Sequence, residues 1–157
     1  MKSYLYVSIS EEDRIAIFAM DHETGRLDPR GDVEVTGRPA PLAVDPARGL
    51  LYVGRRRSCE ISSFQIDRRT GGLSLVGTAP LEADPCFLAT DRTGTFLFSA
   101  YYGAGKAAVH RIGEDGAPDA APVQWLDLSP GAHAIQTDPT NRYAFVPHIA
   151  GAVGPNV

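Results

Sequence analysis

Cysteine is scarce in this chain: Cys59 and Cys86 are the only two in 157 residues. That is too few for a disulfide framework, and no CxxC or HxxxH spacing exists to hold a structural zinc ion. Any apolar run of membrane-spanning length is also missing. The start YLYVSI is broken by Glu11-Glu12-Asp13 and reads as a strand, not a signal peptide. Basic charge is in deficit, with 15 Lys and Arg against 19 Asp and Glu and no basic run longer than Arg55-Arg56-Arg57. The net charge of −4 argues against a nucleic-acid surface. Neither a GxSxG elbow nor a GxxxxGK phosphate loop occurs. These absences lead us to expect a reducing cytoplasm and no nucleic acid, membrane or metal as partner.

What the chain does contain is a repeat. Leu5 in YLYVS, Leu51 in LLYVG, Leu97 in FLFSA and Ala144 in YAFVP are separated by 46, 46 and 47 residues. Each lies in an alternating β-branched and aromatic run, so the repeated unit is built of strands rather than helices. Upstream, Asp45, Asp91 and Asp138 each precede the marker by six residues. Downstream, Ile15 and Ile61, Phe18 and Phe64, and Asp21 and Asp67 keep the 46-residue phase. Turns at Thr24-Gly25, Thr70-Gly71 and Asp115-Gly116 follow, then short strands around Val33, Leu75 and Trp125. Each unit is expected to be four antiparallel strands, A to D, forming one propeller blade.

The fold class is therefore all-β, a β-propeller of four-stranded antiparallel blades with about three and a half present of an expected seven. The predicted units are 1–37, a blade without its A strand, then 38–83, 84–129, and 130–157 as the start of a fourth blade. A ring closes with four to eight blades, so an arc of this length leaves apolar blade faces uncovered. The expectation is a truncated chain, or one that self-associates through its open faces.

Topology separates two ends of the arc. The A-to-B turns carry Asp45, Asp91 and Asp138, whose expected task is bonding within the turn. The D-to-A and B-to-C loops share the other end, the mouth. Ala40, Cys86 and His133 occupy equivalent positions there, five residues before each turn aspartate. His133 breaks the pattern of small side chains, and imidazole near neutral pH serves as a general base or hydrogen-bond donor. A histidine bonded to a nearby carbonyl is the alternative. Arg56, from the Arg55–Arg57 loop, is the expected inward guanidinium for an anionic substrate, with at least one neighbour solvated. Tyr102 and His148 follow the next two B strands and join it as candidate substrate-binding residues, although Tyr102 before Gly103-Ala104-Gly105 also suits a blade cap. Asp84 is a weaker candidate, and His22 and His110 read as surface or packing residues.

The succession LLYVGRRR, PCFLATDRTGTFLFSAYYGAGKAAVHRI and GAHAIQTDPTNRYAFVPHIAG resembles the bacterial 6-phosphogluconolactonase, or lactonase, family of seven-bladed propellers. The resemblance covers the whole chain but only about the N-terminal half of a family member. It implies a carboxylic ester hydrolase of the pentose phosphate pathway that opens a small anionic sugar δ-lactone without metal or organic cofactor. His133 matches the family's mouth histidine, as general base or oxyanion donor, and Arg56 matches a loop that holds phosphate. Family members carry histidine where Phe87 and Gly131 stand. With half the mouth absent, little or no lactonase activity is expected of this chain. A non-catalytic ligand- or protein-binding propeller, and a lactone-forming cycloisomerase, remain open.

Overall fold

A computed structural model describes residues 3–45 and 47–149. Among the described residues, thirteen strands form four antiparallel sheets in chain order. The first holds β1 (Ser3–Ile9), β2 (Arg14–Met20) and β3 (Leu27–Glu34). The second holds β4 (Pro39–Asp45), β5 (Leu50–Arg55), β6 (Glu60–Ile66) and β7 (Leu73–Pro80). The third holds β8 (Phe87–Thr90), β9 (Phe96–Tyr101), β10 (Lys106–Arg111) and β11 (Gln124–Asp127). The fourth pairs β12 (Gln136–Thr137) with β13 (Ala144–Phe145). No helix among the described residues is long and apolar enough to cross a membrane.

Burial follows position within each sheet. β5 is buried along both faces, which is why LLYVG runs apolar without alternation. The last strands of the first two sheets, β3 and β7, lie at the sheet edge, β3 mostly exposed and β7 exposed along half its length, and Pro29 is tolerated in β3 because an edge strand has a free side. Apolar layers fill the spaces between sheets. Ile15, Val35, Leu51, Val53 and Phe64 join the first to the second. Tyr52, Ile61, Leu88 and Leu97 join the second to the third, and Phe98, Ala100, Ala107 and Ile135 join the third to the fourth. This is propeller architecture.

The aspartate turns close the end away from the mouth. Asp45 Oδ1 accepts from the amides of Ala47 and Arg48 at 3.0 and 3.1 Å. Asp91 accepts from the amides of Thr93, Thr95 and Phe96, and Asp138 from the corresponding amides of Thr140, Arg142 and Tyr143, so all three aspartates bond within their turns, the role read from sequence. Residues 150–157 of the fourth predicted unit lie outside the described residues.

Candidate functional site

The mouth is assembled from loops whose backbones bond to one another. The Arg38 amide donates to Asp13 Oδ1 at 2.7 Å, and the Arg38 carbonyl accepts from the Arg56 amide at 3.0 Å. Asp13, Cys59 and Gly105, each 46 residues apart, take left-handed φ values of 51°, 51° and 62° at the ends of successive B-to-C turns. Only Gly105 does so without steric penalty. A Cβ there would also sit 2.9 Å from Pro130 N. Gly103 has no positive φ and faces open space, so the glycine requirement expected of Gly103-Ala104-Gly105 rests on Gly105 alone.

One end of the mouth is a cleft of about 490 Å³ lined by Glu11, Arg38, Ala40, Arg56, Arg57 and Asp84, with Ser10. Arg56 Nη2 lies 2.6 Å from Asp84 Oδ2, and Arg38 pairs with Glu11. Arg57 is exposed and has no side-chain partner among the described residues. Arg55 turns away, bonding the Thr36 carbonyl, Ser62 and Glu60. The three arginines of the loop therefore divide into one structural, Arg55, and two at the cleft, of which Arg56 is held by a carboxylate and Arg57 is solvated. Three guanidinium and two carboxylate groups leave the cleft one net positive charge, 3 − 2 = 1.

The other end gathers the histidines. His133 is exposed, its amide donates to the Pro147 carbonyl at 3.0 Å, and its ring meets the Tyr102 ring edge-on with centroids 5.8 Å apart. Its ring nitrogens make no hydrogen bond among the described residues, so the carbonyl-bonded alternative for His133 is not observed. Tyr102 is 43% exposed. Its carbonyl accepts from Gly131 N at 3.1 Å, which closes the blade edge while leaving the phenol at the surface. His148 is half-buried beside Ala132, and its Nδ1 is buried without a partner. Gly131 has φ 95°, and a Cβ there would meet the Ile149 carbonyl oxygen at 2.6 Å. No side chain fits at that position in this chain.

Between the two ends runs Asp84-Pro85-Cys86. Cys86 Sγ lies 3.3 Å from the Ala100 carbonyl and 3.4 Å from that of Ala132, beside His133. Burial pushes its thiol up, which disfavours the thiolate that a nucleophile needs. Sequence reasoning missed Glu11 and Arg38. Their membership of mouth loops was the available signal. His22 bonds Ser3 at the surface and His110 is buried, both as read. Among the described residues no three metal-ligating side chains converge.

Comparison with known proteins follows the same outline. A family model described as Lactonase, 7-bladed beta-propeller matches residues 3–150. The chain is 37% identical over 147 residues to a 6-phosphogluconolactonase of Serratia proteamaculans, covering 94% of this chain and 44% of that protein. The Pectobacterium carotovorum 6-phosphogluconolactonase is 36% identical over 94% of this chain and 43% of its own length. The periplasmic gluconolactonase of Pseudomonas aeruginosa superposes with a TM-score of 0.79 at 22% identity, over 94% of this chain and 47% of the other. That likeness is one of fold. The chain spans less than half the length of the relatives it matches.

Proposed function

This chain belongs to the lactonase family of seven-bladed β-propellers, and from that premise we propose that its mouth serves hydrolysis of an anionic sugar δ-lactone of the 6-phosphogluconolactone type. The observation that carries the reading is the exposed, uncommitted imidazole of His133, standing where its repeat otherwise places Ala40 and Cys86. In the proposed reaction the imidazole takes a proton from water as the oxygen attacks the lactone carbonyl. The tetrahedral oxyanion then collapses, the ring C–O bond breaks, and the imidazolium returns the proton to the departing alkoxide. The products are a free hydroxyl and a carboxylic acid, which releases its proton to solvent and leaves as the carboxylate. Arg56 receives the anionic group, and Tyr102 and His148 flank the ring. No cofactor takes part.

General-base assistance is worth roughly 10²- to 10⁴-fold, and preorganised charge at the oxyanion is usually the larger share. Here Arg56 is engaged by Asp84 and the His133 ring has no hydrogen-bond partner among the described residues. We therefore propose that the 157-residue chain assayed alone is a weak lactonase. Residues 1–37, 38–83, 84–129 and 130–157 are the proposed successive units. The setting we propose is a reducing cytoplasm, supported by Cys59 and Cys86 both being free thiols.

The test is δ-lactone hydrolysis above the spontaneous rate, with and without His133→Ala, alongside binding of the product acid. The expected outcome is that His133→Ala abolishes enzyme-dependent turnover while product binding, centred on Arg56, persists. Unchanged turnover removes His133 from the mechanism. Product binding without turnover in either form supports the second reading, a binding propeller, which a His133 ring without a hydrogen-bond partner among the described residues favours.

A further inference from the structure

The repeat sets a residue of each B-to-C turn near one at the start of the following A strand. Ser10 and Ala40 line the same cleft. One repeat on, burial raises the Cys86 thiol pKa and the nearby Arg56 charge partly opposes it. In the next repeat the equivalent residues are Tyr102 and His133, whose rings meet. Of these three pairs only the last consists of two rings.

The main chain beneath His133 is held from three sides. Its amide donates to the Pro147 carbonyl at 3.0 Å, Gly131 N donates to the Tyr102 carbonyl at 3.1 Å, and Cys86 Sγ lies 3.4 Å from the Ala132 carbonyl. These contacts place the Cα of His133 but leave its side-chain torsions free, and the second torsion of a histidine is broad. A general base has to aim its lone pair at the proton it takes, so a third group usually orients it. No hydrogen bond does so for either ring nitrogen of His133 among the described residues. The contact its ring does make is with Tyr102, at 5.8 Å between centroids and 87° between planes. This is the T-shaped arrangement, within the roughly 4.5–7 Å separation, that aromatic pairs prefer. Tyr102 opens the turn 102–105 between β9 and β10. Its hydroxyl makes no hydrogen bond among the described residues, so the ring alone carries the contact.

We propose that Tyr102 is a positioning residue for His133: its ring confines the imidazole to the orientation in which a nitrogen faces the mouth. This inference rests on the general-base role proposed for His133 above. Tyr102 then serves the reaction through the base more than through its own hold on the lactone. An aromatic pair of this kind biases one ring orientation roughly 2- to 10-fold.

The chain has four histidines, few enough for the His133 ring protons to be assigned by their loss in His133→Ala. Tyr102 is 43% exposed and its main chain carries the bond to Gly131, so Tyr102→Ala keeps the turn. In that variant the His133 resonances are expected to move toward free-histidine values, and in Tyr102→Phe to stay displaced. In δ-lactone hydrolysis, Tyr102→Ala should lower kcat roughly 2- to 10-fold at unchanged KM, with product binding through Arg56 intact. Tyr102→Phe, which keeps the ring, should recover most of that loss. An unchanged kcat in Tyr102→Ala overturns the inference, and a raised KM beside it makes Tyr102 a direct contact of the lactone. Unmoved His133 resonances, or Phe as poor as Ala, overturn it too. Turnover that is absent from the unsubstituted chain, or unchanged in His133→Ala, removes the general-base reading and the positioning role with it. That failure is recognised by a resonance shift in Tyr102→Ala that persists without a kinetic effect.

Discussion

Asp91 and Asp138 hold the same kind of turn one repeat apart, and their hydrogen bonds give stability a pH signature. Asp138 accepts from the Thr140 hydroxyl first and from the amides of Tyr143, Thr140 and Arg142, which draw its carboxyl down to about 2. At Asp91 burial pushes the pKa up, but the Thr93 hydroxyl, the Phe96 amide and Asn141 outweigh it and the net shift is downward. Both folded values lie below the unfolded carboxylate value of about 3.9. Their stabilisation is therefore fully present above that value and is lost as pH falls toward 2. Urea midpoints are expected to drop as pH falls from about 5 to about 2.5, and Asp138→Asn should flatten the drop. An unflattened profile would assign it to other groups. Asp91 is 5% exposed, so Asp91→Ala strands several amides and should cost roughly 2–4 kcal/mol in urea unfolding. A cost below about 1 kcal/mol would contradict the role assigned to the turn.

At the scale of the element, the repeat supplies its own control. Gly25 and Gly71 stand 46 residues apart in equivalent C-to-D turns with φ 71° and 79°. A Cβ at Gly25 would meet nothing within 4 Å, whereas one at Gly71 would lie 2.4 Å from the Tyr4 ring. Tyr4 reaches over from the neighbouring sheet to donate to the Arg69 carbonyl at 2.6 Å. Gly25→Ala should therefore cost only the left-handed backbone penalty of about 1–2 kcal/mol. Gly71→Ala should add roughly 1–3 kcal/mol of overpacking. Equal losses in thermal unfolding would show that Tyr4 swings aside freely. Sequence disclosed the shared turn glycine. It could not disclose that one copy backs onto a tyrosine, because that contact spans two sheets.

Across the whole molecule, the first sheet's outer face is apolar and uncovered. Leu5 and Val7 are 42% and 39% exposed and pair across β2 with Phe18 and Ala16. On the fourth sheet Phe145 is 63% exposed, and Tyr143, just before its second strand, is 60% exposed. Faces of this kind bury themselves when they can. Concentration-dependent association is expected in analytical ultracentrifugation, and Leu5→Glu with Val7→Lys should shift it toward monomer without altering the β-sheet circular dichroism. A monomer at all concentrations in the unsubstituted chain would refute self-association.

Sequence alone determined the period, the strand order within each sheet, the aspartate turns and the position at which His133 departs from its repeat. These are properties of local alternation and turn chemistry, which each 46-residue stretch carries within itself. Tertiary structure decided which arginine meets Asp84, why Gly131 has no side chain, that Gly105 rather than Gly103 needs its freedom, and that the Tyr102 ring meets His133. Those outcomes depend on the angle and spacing between neighbouring sheets. Loops far apart in sequence meet only when packed side chains set that angle.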